Sequence, residues 1–131
     1  MVILYAQSMS AVQKDIKLVE TYRKVDQNME LRCISARSND SKVGELLVRF
    51  QKDKKLLILD GVIVEKEFRR QGVGTYLVSF AEDLAQRFSA KKVLLCPFPV
   101  DPSAYPKEEL IKWYRKRGYM LNRGLMFKSI K

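Results

Sequence analysis

Apolar and polar residues change period several times along the chain, and each change marks an element. Residues 1–6 open with an apolar run. Val12, Ile16, Val19 and Tyr22 then recur at spacings of three and four, with Lys14, Lys17, Arg23 and Lys24 on other faces and Ser8 or Ser10 ahead as a cap. That pattern predicts an amphipathic helix over residues 10–25. Residues 29–36 alternate as a strand, residues 37–41 are turn chemistry, and residues 43–50 follow as the hairpin partner. A second polar turn, Lys52-Asp53-Lys54-Lys55, leads into a long apolar run over 56–64 interrupted by Asp60-Gly61. These three strands form an antiparallel meander. A glycine inside a strand marks a bulge, a close approach by another backbone or ligand, or simply a weak position.

From Gly72 to Phe88 the period becomes helical: Val73, Tyr76, Leu77, Phe80, Ala81, Leu84 and Phe88 make one stripe that packs on the sheet. Residues 91–96 are a short strand reached by a helical crossover, so it lies parallel to the strand ending near Val64. Pro97, Pro99, Pro102 and Pro106 then impose a shaped loop, with Tyr105 in it as a candidate for lining an acceptor pocket. A short helix runs from Pro106 through Tyr114 to a stop at Gly118. The final hairpin pairs 119–121 with 125–130 through Asn122-Arg123-Gly124. With 131 residues the chain forms one domain, 1–131, of α/β (α+β) class.

The junction at 62–75 carries the candidate chemistry: Val62-Ile63-Val64 end a strand, Arg69-Arg70-Gln71 make a basic turn, and Gly72-Val73-Gly74-Thr75 open a helix. Such a junction aims backbone N–H groups and the positive end of a helix dipole at one point, a place for phosphate. It is not the dinucleotide fingerprint, whose third glycine position holds Leu77, and it lacks the Gly-Lys-Ser/Thr of a P-loop.

Arg69-x-x-Gly72-x-Gly74 resembles motif A of the GNAT (GCN5-related) acyl-CoA N-acyltransferases. Trp113-Tyr114-Arg115-Lys116-Arg117-Gly118-Tyr119 resembles the family's Phe-Tyr-Glu-Lys-x-Gly-Phe segment. The resemblance covers roughly residues 29–131 and is strongest over 56–119. The chain departs from the family pattern at Lys66, where a proline is frequent, and near Lys107, where an asparagine often opens the helix.

The resemblance implies a GNAT fold: a mixed, mainly antiparallel sheet with a splayed parallel strand pair, flanked by helices. It implies acetyl-CoA (coenzyme A) as cofactor, with phosphates at Arg69, Arg70, Gln71, Gly72, Val73, Gly74 and Thr75. Pantetheine would run along Val62, Ile63 and Val64, opposite 95–97, with the backbone N–H of Ile63 or Val64 as oxyanion donor. Tyr114 matches the family's general acid, against an alternative as a packing aromatic. Asp60, two residues before Val62, is the candidate general base, with a structural or solvated aspartate as the other reading. The reaction implied is acetyl transfer to a primary amine of a protein, peptide, small molecule or aminoacyl-tRNA. A non-catalytic module on the same fold, binding CoA, nucleic acid or protein, is the competing class.

Composition narrows this further. The chain has no histidine, which removes histidine-based triads and imidazole metal sites, and no metal is expected. Cys33 and Cys96 have neither disulfide-framework nor metal spacing and are expected as free thiols. The net charge of +10 calls for an anionic partner, and residues 107–131 hold eight Lys and Arg against Glu108 and Glu109. This basic end suggests an acidic or nucleic-acid-associated partner, or else a solvated face. No apolar run is long enough to span a membrane, and residues 1–6 lack the basic start and length of a signal core. The expectation is a cytoplasmic monomer or homodimer.

Overall fold

In the computed structural model, which describes residues 2–6, 16–99 and 105–130, the strand β1 (Val2–Ala6) begins a meander of five antiparallel strands. It continues through β2 (Ile16–Lys24), β3 (Met29–Ser38), β4 (Ser41–Gln51) and β5 (Leu56–Val64). A 3₁₀ turn (Lys66–Phe68) and helix α1 (Val73–Arg87) lead to β6 (Lys92–Leu95), which lies parallel to β5. Helix α2 (Lys107–Arg115) and the hairpin β7 (Met120–Asn122) and β8 (Leu125–Ser129) complete the chain. The eight strands form one mixed sheet in the order β1-β2-β3-β4-β5-β6-β8-β7.

The meander, the parallel strand, the stripe of α1 and the last hairpin all stand where their periodicity places them. Residues 16–24 do not: the helix expected over 10–25 is, from Ile16 onward, strand β2, while residues 7–15 lie outside the described residues. The reason is Glu20. Ile16, Leu18 and Glu20 alternate inward at strand period, and Glu20, 1% exposed, is buried against Arg32 of β3 (Oε1 to Nη1, 2.5 Å). Arg32 also lies over the Phe88 ring at 4.3 Å and approaches Glu30 at 3.4 Å. A buried charge can be held only when it is paired and hydrogen-bonded in this manner.

The core fills the sheet face that carries α1. Leu18, Ile34, Leu46, Val48, Leu57, Leu59, Val93 and Met126 meet Val73, Leu77, Phe80 and Leu84 there. Alternation leaves Leu31, Cys33, Leu47, Ile58, Leu94 and Phe127 half-buried on the opposite face. Gly44 lets α1 settle close to the sheet. A Cβ at that position would meet the Ile63 carbonyl oxygen at 2.9 Å and side-chain carbons of Leu77 and Val73 at 3.2 Å.

Candidate active site

The site begins with a failure of two strands to stay together. β5 and β6 pair only over Leu56–Leu59 and Lys92–Leu95. On the β5 side, the register against β4 shifts between Leu47–Gly61 and Val48–Leu59, so Asp60 is the extra residue of a bulge. This is the bulge suggested by Gly61 in the sequence. On the β6 side, the Phe98 N–H closes a tight turn onto the Cys96 carbonyl (2.8 Å), and buried Pro97 has no N–H to extend the ladder. The strands therefore diverge beyond Leu59 and Leu95.

Alternation decides which backbone groups face the gap. The Glu65 N–H bonds the Val43 carbonyl at 2.9 Å, and the same register pairs Ile63 with Glu45. Residues 61, 63 and 65 thus direct their N–H and C=O groups to β4, while those of Val62 and Val64 point into the gap. Arg69 Nε donating to the Val64 carbonyl at 3.1 Å fits this orientation. Ile63 lines the cavity, but its N–H is turned away, so the donors available are those of Val62 and Val64.

The gap opens into a cavity of about 680 Å³. Its wall includes Asp60, Val62, Ile63, Val64, Arg69, Arg70, Gly72, Gly74, Thr75 and Tyr114. Gln71 and Val73 are not in this wall: the Gln71 amide donates to the Glu67 carbonyl at 3.1 Å, and Val73 is in the core. Tyr105 lines it, and so does Trp113, which also packs against the core. The sequence reading passed over Phe98 and Glu109, both in the wall. Phe98 is a strongly exposed aromatic, 76% accessible, and lies just after the strand that ends the pairing.

At one end of the cavity α1 begins at Gly72 with no side-chain cap hydrogen bond. Gly72 takes a left-handed conformation (φ 85°), and the first turn of the helix has no acidic residue. Arg70 is also left-handed, at φ 64°, a costly state for a non-glycine residue that is common at functional sites. By contrast, α2 has Glu108 and Glu109 in its first turn. The positive end of α1 and the exposed Arg70 both border the cavity, where an anion would be favoured.

Tyr114 and Asp60 approach the cavity from opposite faces of the sheet. Tyr114 is 5% exposed, edge-on to Trp113 at 4.9 Å and to Tyr119 at 5.3 Å. Burial pushes its hydroxyl up to about 12, partly opposed by the Arg117 charge. Tyr119, behind it, donates to Glu82 of α1 at 2.8 Å, and Lys128 bonds the same carboxylate at 3.1 Å. Asp60 lies on the face opposite α1, with both oxygens in the fork of Arg49 at 2.6 and 3.0 Å. Cys33 and Cys96 are free thiols.

The basic end of the chain divides. Lys107, Lys112, Arg115 and Lys116 are exposed on and after α2, whereas Arg117 and Lys128 bond within the fold.

No curated protein matches this chain in sequence. Among solved structures it is similar to the PaiA N-acetyltransferase of Thermoplasma acidophilum in complex with coenzyme A, with 14% identity and a TM-score of 0.59. That match covers 74% of this chain and 59% of the other, so this chain spans under two thirds of that protein. It is also similar to Tetrahymena GCN5 (18% identity, TM-score 0.61, covering 81% of this chain and 71% of the other). Nourseothricin acetyltransferase matches with 20% identity and a TM-score of 0.62, covering 99% of this chain and 85% of the other. At these identities the likeness is one of fold. The model of the acetyltransferase (GNAT) family matches residues 4–119, nearly the whole chain. The chain belongs to the GNAT acetyltransferase family.

Proposed function

We propose that this protein is an N-acetyltransferase that uses acetyl-CoA to acetylate a primary amine. The observation that carries the reading is the splay of β5 from β6, with the Val62 and Val64 N–H groups facing a cavity that ends at the glycine-rich start of α1. A ligand with an anionic group at one end and an amide-bearing arm fits that arrangement. The α1 amides with Arg69 and Arg70 would hold phosphates, and the open strand edge would pair with the arm.

Coenzyme A supplies the acyl group as an activated thioester; the chain's own residues do the rest. The N–H groups of Val62 and Val64 are fixed by the ladder to β4, so they are preorganised to stabilise charge developing on a carbonyl oxygen in the gap. Tyr114 holds its proton at neutral pH and is placed in the wall to give it to a departing sulfur. Because the phosphate turn and Tyr114 lie on the helix-bearing face, the amine approaches from the opposite side, past Asp60 and Gly61. Asp60 keeps the place of the base in this proposal, and accepting a proton requires one oxygen to leave the Arg49 fork. The exposed cations of α2 favour an acceptor carried on an acidic molecule.

The test is an acceptor screen with acetyl-CoA and detection of free thiol, covering polyamines, peptides and aminoacyl-tRNA. The expected outcome is thiol release that requires both protein and one amine class, with an acetylated product by mass. If the protein binds CoA and no amine raises thiol release above the amine-free rate, the non-catalytic module replaces this reading.

A further inference from the structure

Three cations end α2, and two of them, Arg115 and Lys116, are exposed beside the negative end of the helix dipole. Arg117 behaves differently. The chain reverses at Gly118 (φ 93°), and the Arg117 guanidinium turns inward across two elements. Nη1 donates to the Trp113 carbonyl at 2.9 Å, one of the orphan carbonyls of the helix end. Nη2 donates to the Thr75 hydroxyl at 2.6 Å, in the first turn of α1 and 42 positions away in sequence. The guanidinium carbon lies 3.5 Å from the centre of the Trp113 ring. That ring in turn reaches within 3.7 Å of where a Cβ on Gly74 would stand.

Arg117, Trp113 and the turn Gly74-Thr75 thus form one stack, and Tyr114 is the next residue along α2. Among the described residues the Arg117 guanidinium bonds a carbonyl and a hydroxyl but no carboxylate, and its Nε is buried without a partner. Burial disfavours its charged form and lowers its pKa, opposed in part by the charges of Tyr105, Tyr114 and Glu82. A half-buried cation that bonds no carboxylate directly is stabilised further by an anion brought close to it. The start of α1, which Arg117 touches at Thr75, is a place for one.

We propose that Arg117 is a positioning residue that clamps α2 to the first turn of α1, so that phosphate bound at the turn and the proton donor Tyr114 are held as one unit. The claim rests on the acetyltransferase reading above and deepens it. The bound phosphate adds counter-charge to that which Glu82 already gives Arg117. The clamp in turn fixes the hydroxyl of Tyr114 relative to the splayed strands. Arginine is needed for its fork: a lysine can carry the charge but cannot bridge Trp113 and Thr75 while lying flat on the indole.

The test is a double-mutant cycle of Arg117→Met with Tyr114→Phe, plus Arg117→Lys, on the acceptor identified by the screen. Trp113, the sole tryptophan, serves as a fluorescence probe during titration with CoA. Arg117→Met is expected to lower kcat by on the order of 10–100-fold through misplacement of the donor and to weaken CoA binding. In the Tyr114→Phe background the same change should cost less than about twofold in kcat, because the two residues act together. Arg117→Lys should recover CoA affinity but not kcat, which separates the clamp from simple charge. Full additivity of the cycle, or unchanged kcat in a folded Arg117→Met protein, overturns the proposal while leaving the acetyltransferase reading intact. A wild-type protein that binds no CoA, or binds it and acetylates no amine, overturns both. If Arg117→Met does not fold, the cycle is run with Arg117→Lys, whose equal loss of kcat with and without Tyr114 contradicts the clamp.

Discussion

Tyr114→Phe is expected to lower kcat by about 10²–10⁴-fold, the range of a lost general acid, while CoA still binds. Phenylalanine keeps the ring, and with it the edge-on contacts to Trp113 and Tyr119, so the change removes the proton and little else. The wild-type pH profile gives an independent check. Burial pushes the Tyr114 hydroxyl up to about 12, so this donor remains protonated through the ordinary working range. Any fall in kcat well below that pH belongs to another group and should persist in Tyr114→Phe. Stability follows the same shift. Between the unfolded value near ~10 and about 12 in the fold, the folded chain keeps a proton that the unfolded chain loses. Stability is therefore complete below that window and declines as pH rises through it. Retention of more than about a tenth of wild-type kcat, far above the general-acid range, would place Tyr114 among the packing aromatics instead.

Arg32→Ala carries the largest expected cost in stability, about 3–5 kcal/mol, because it removes the cation paired with a buried carboxylate. Glu20, 1% exposed, faces the arginine at 2.5 Å, and Phe88 at the end of α1 loses the cation lying over its ring. For a chain of this length that corresponds to a fall in Tm on the order of 10–20 °C. Replacing both partners together, as Glu20→Leu with Arg32→Met, should recover most of the loss, since removing a buried pair whole is often neutral. Thermal unfolding measures both. A single variant within about 1 kcal/mol of wild type, the worth of an exposed pair, would mean that this interaction contributes like a surface salt bridge.

The same pair explains where the sequence misled. Hydrophobic alternation in β2 runs Ile16, Leu18, Glu20, and a buried glutamate reads as a polar break, so the spacing of Val12, Ile16, Val19 and Tyr22 suggested a helix. The pairing with Arg32, twelve residues away in β3, is what suits Glu20 to an inward position. The strands from Met29 onward, the bulge beside Gly61, the stripe of α1 and the parallel strand were legible because their signals are local. In the site, the phosphate turn and Tyr114 were readable from short motifs, and the cavity gathers them. Of the two N–H groups offered for the gap, Ile63 and Val64, the ladder register keeps Val64, turns Ile63 away and adds Val62, a choice that no local pattern reveals. Nor could the fork of Arg49 on Asp60 or the reach of Arg117 to Thr75 be foreseen, since both join residues distant in sequence.

The central claim is that the turn from Arg69 to Thr75 binds the phosphates of coenzyme A. Calorimetric titration with CoA tests it most directly, on wild type, Arg70→Glu and Gly72→Glu. Arg70 is exposed, so its substitution disturbs the site and spares the core. A glutamate at Gly72 meets both the left-handed backbone and the positive end of α1. The expected result is saturable binding by wild type, weakened about 10–100-fold in Arg70→Glu by loss of a charge-assisted bond, and further in Gly72→Glu. Absence of CoA binding in the wild-type protein, or equal binding by all three, would contradict the account.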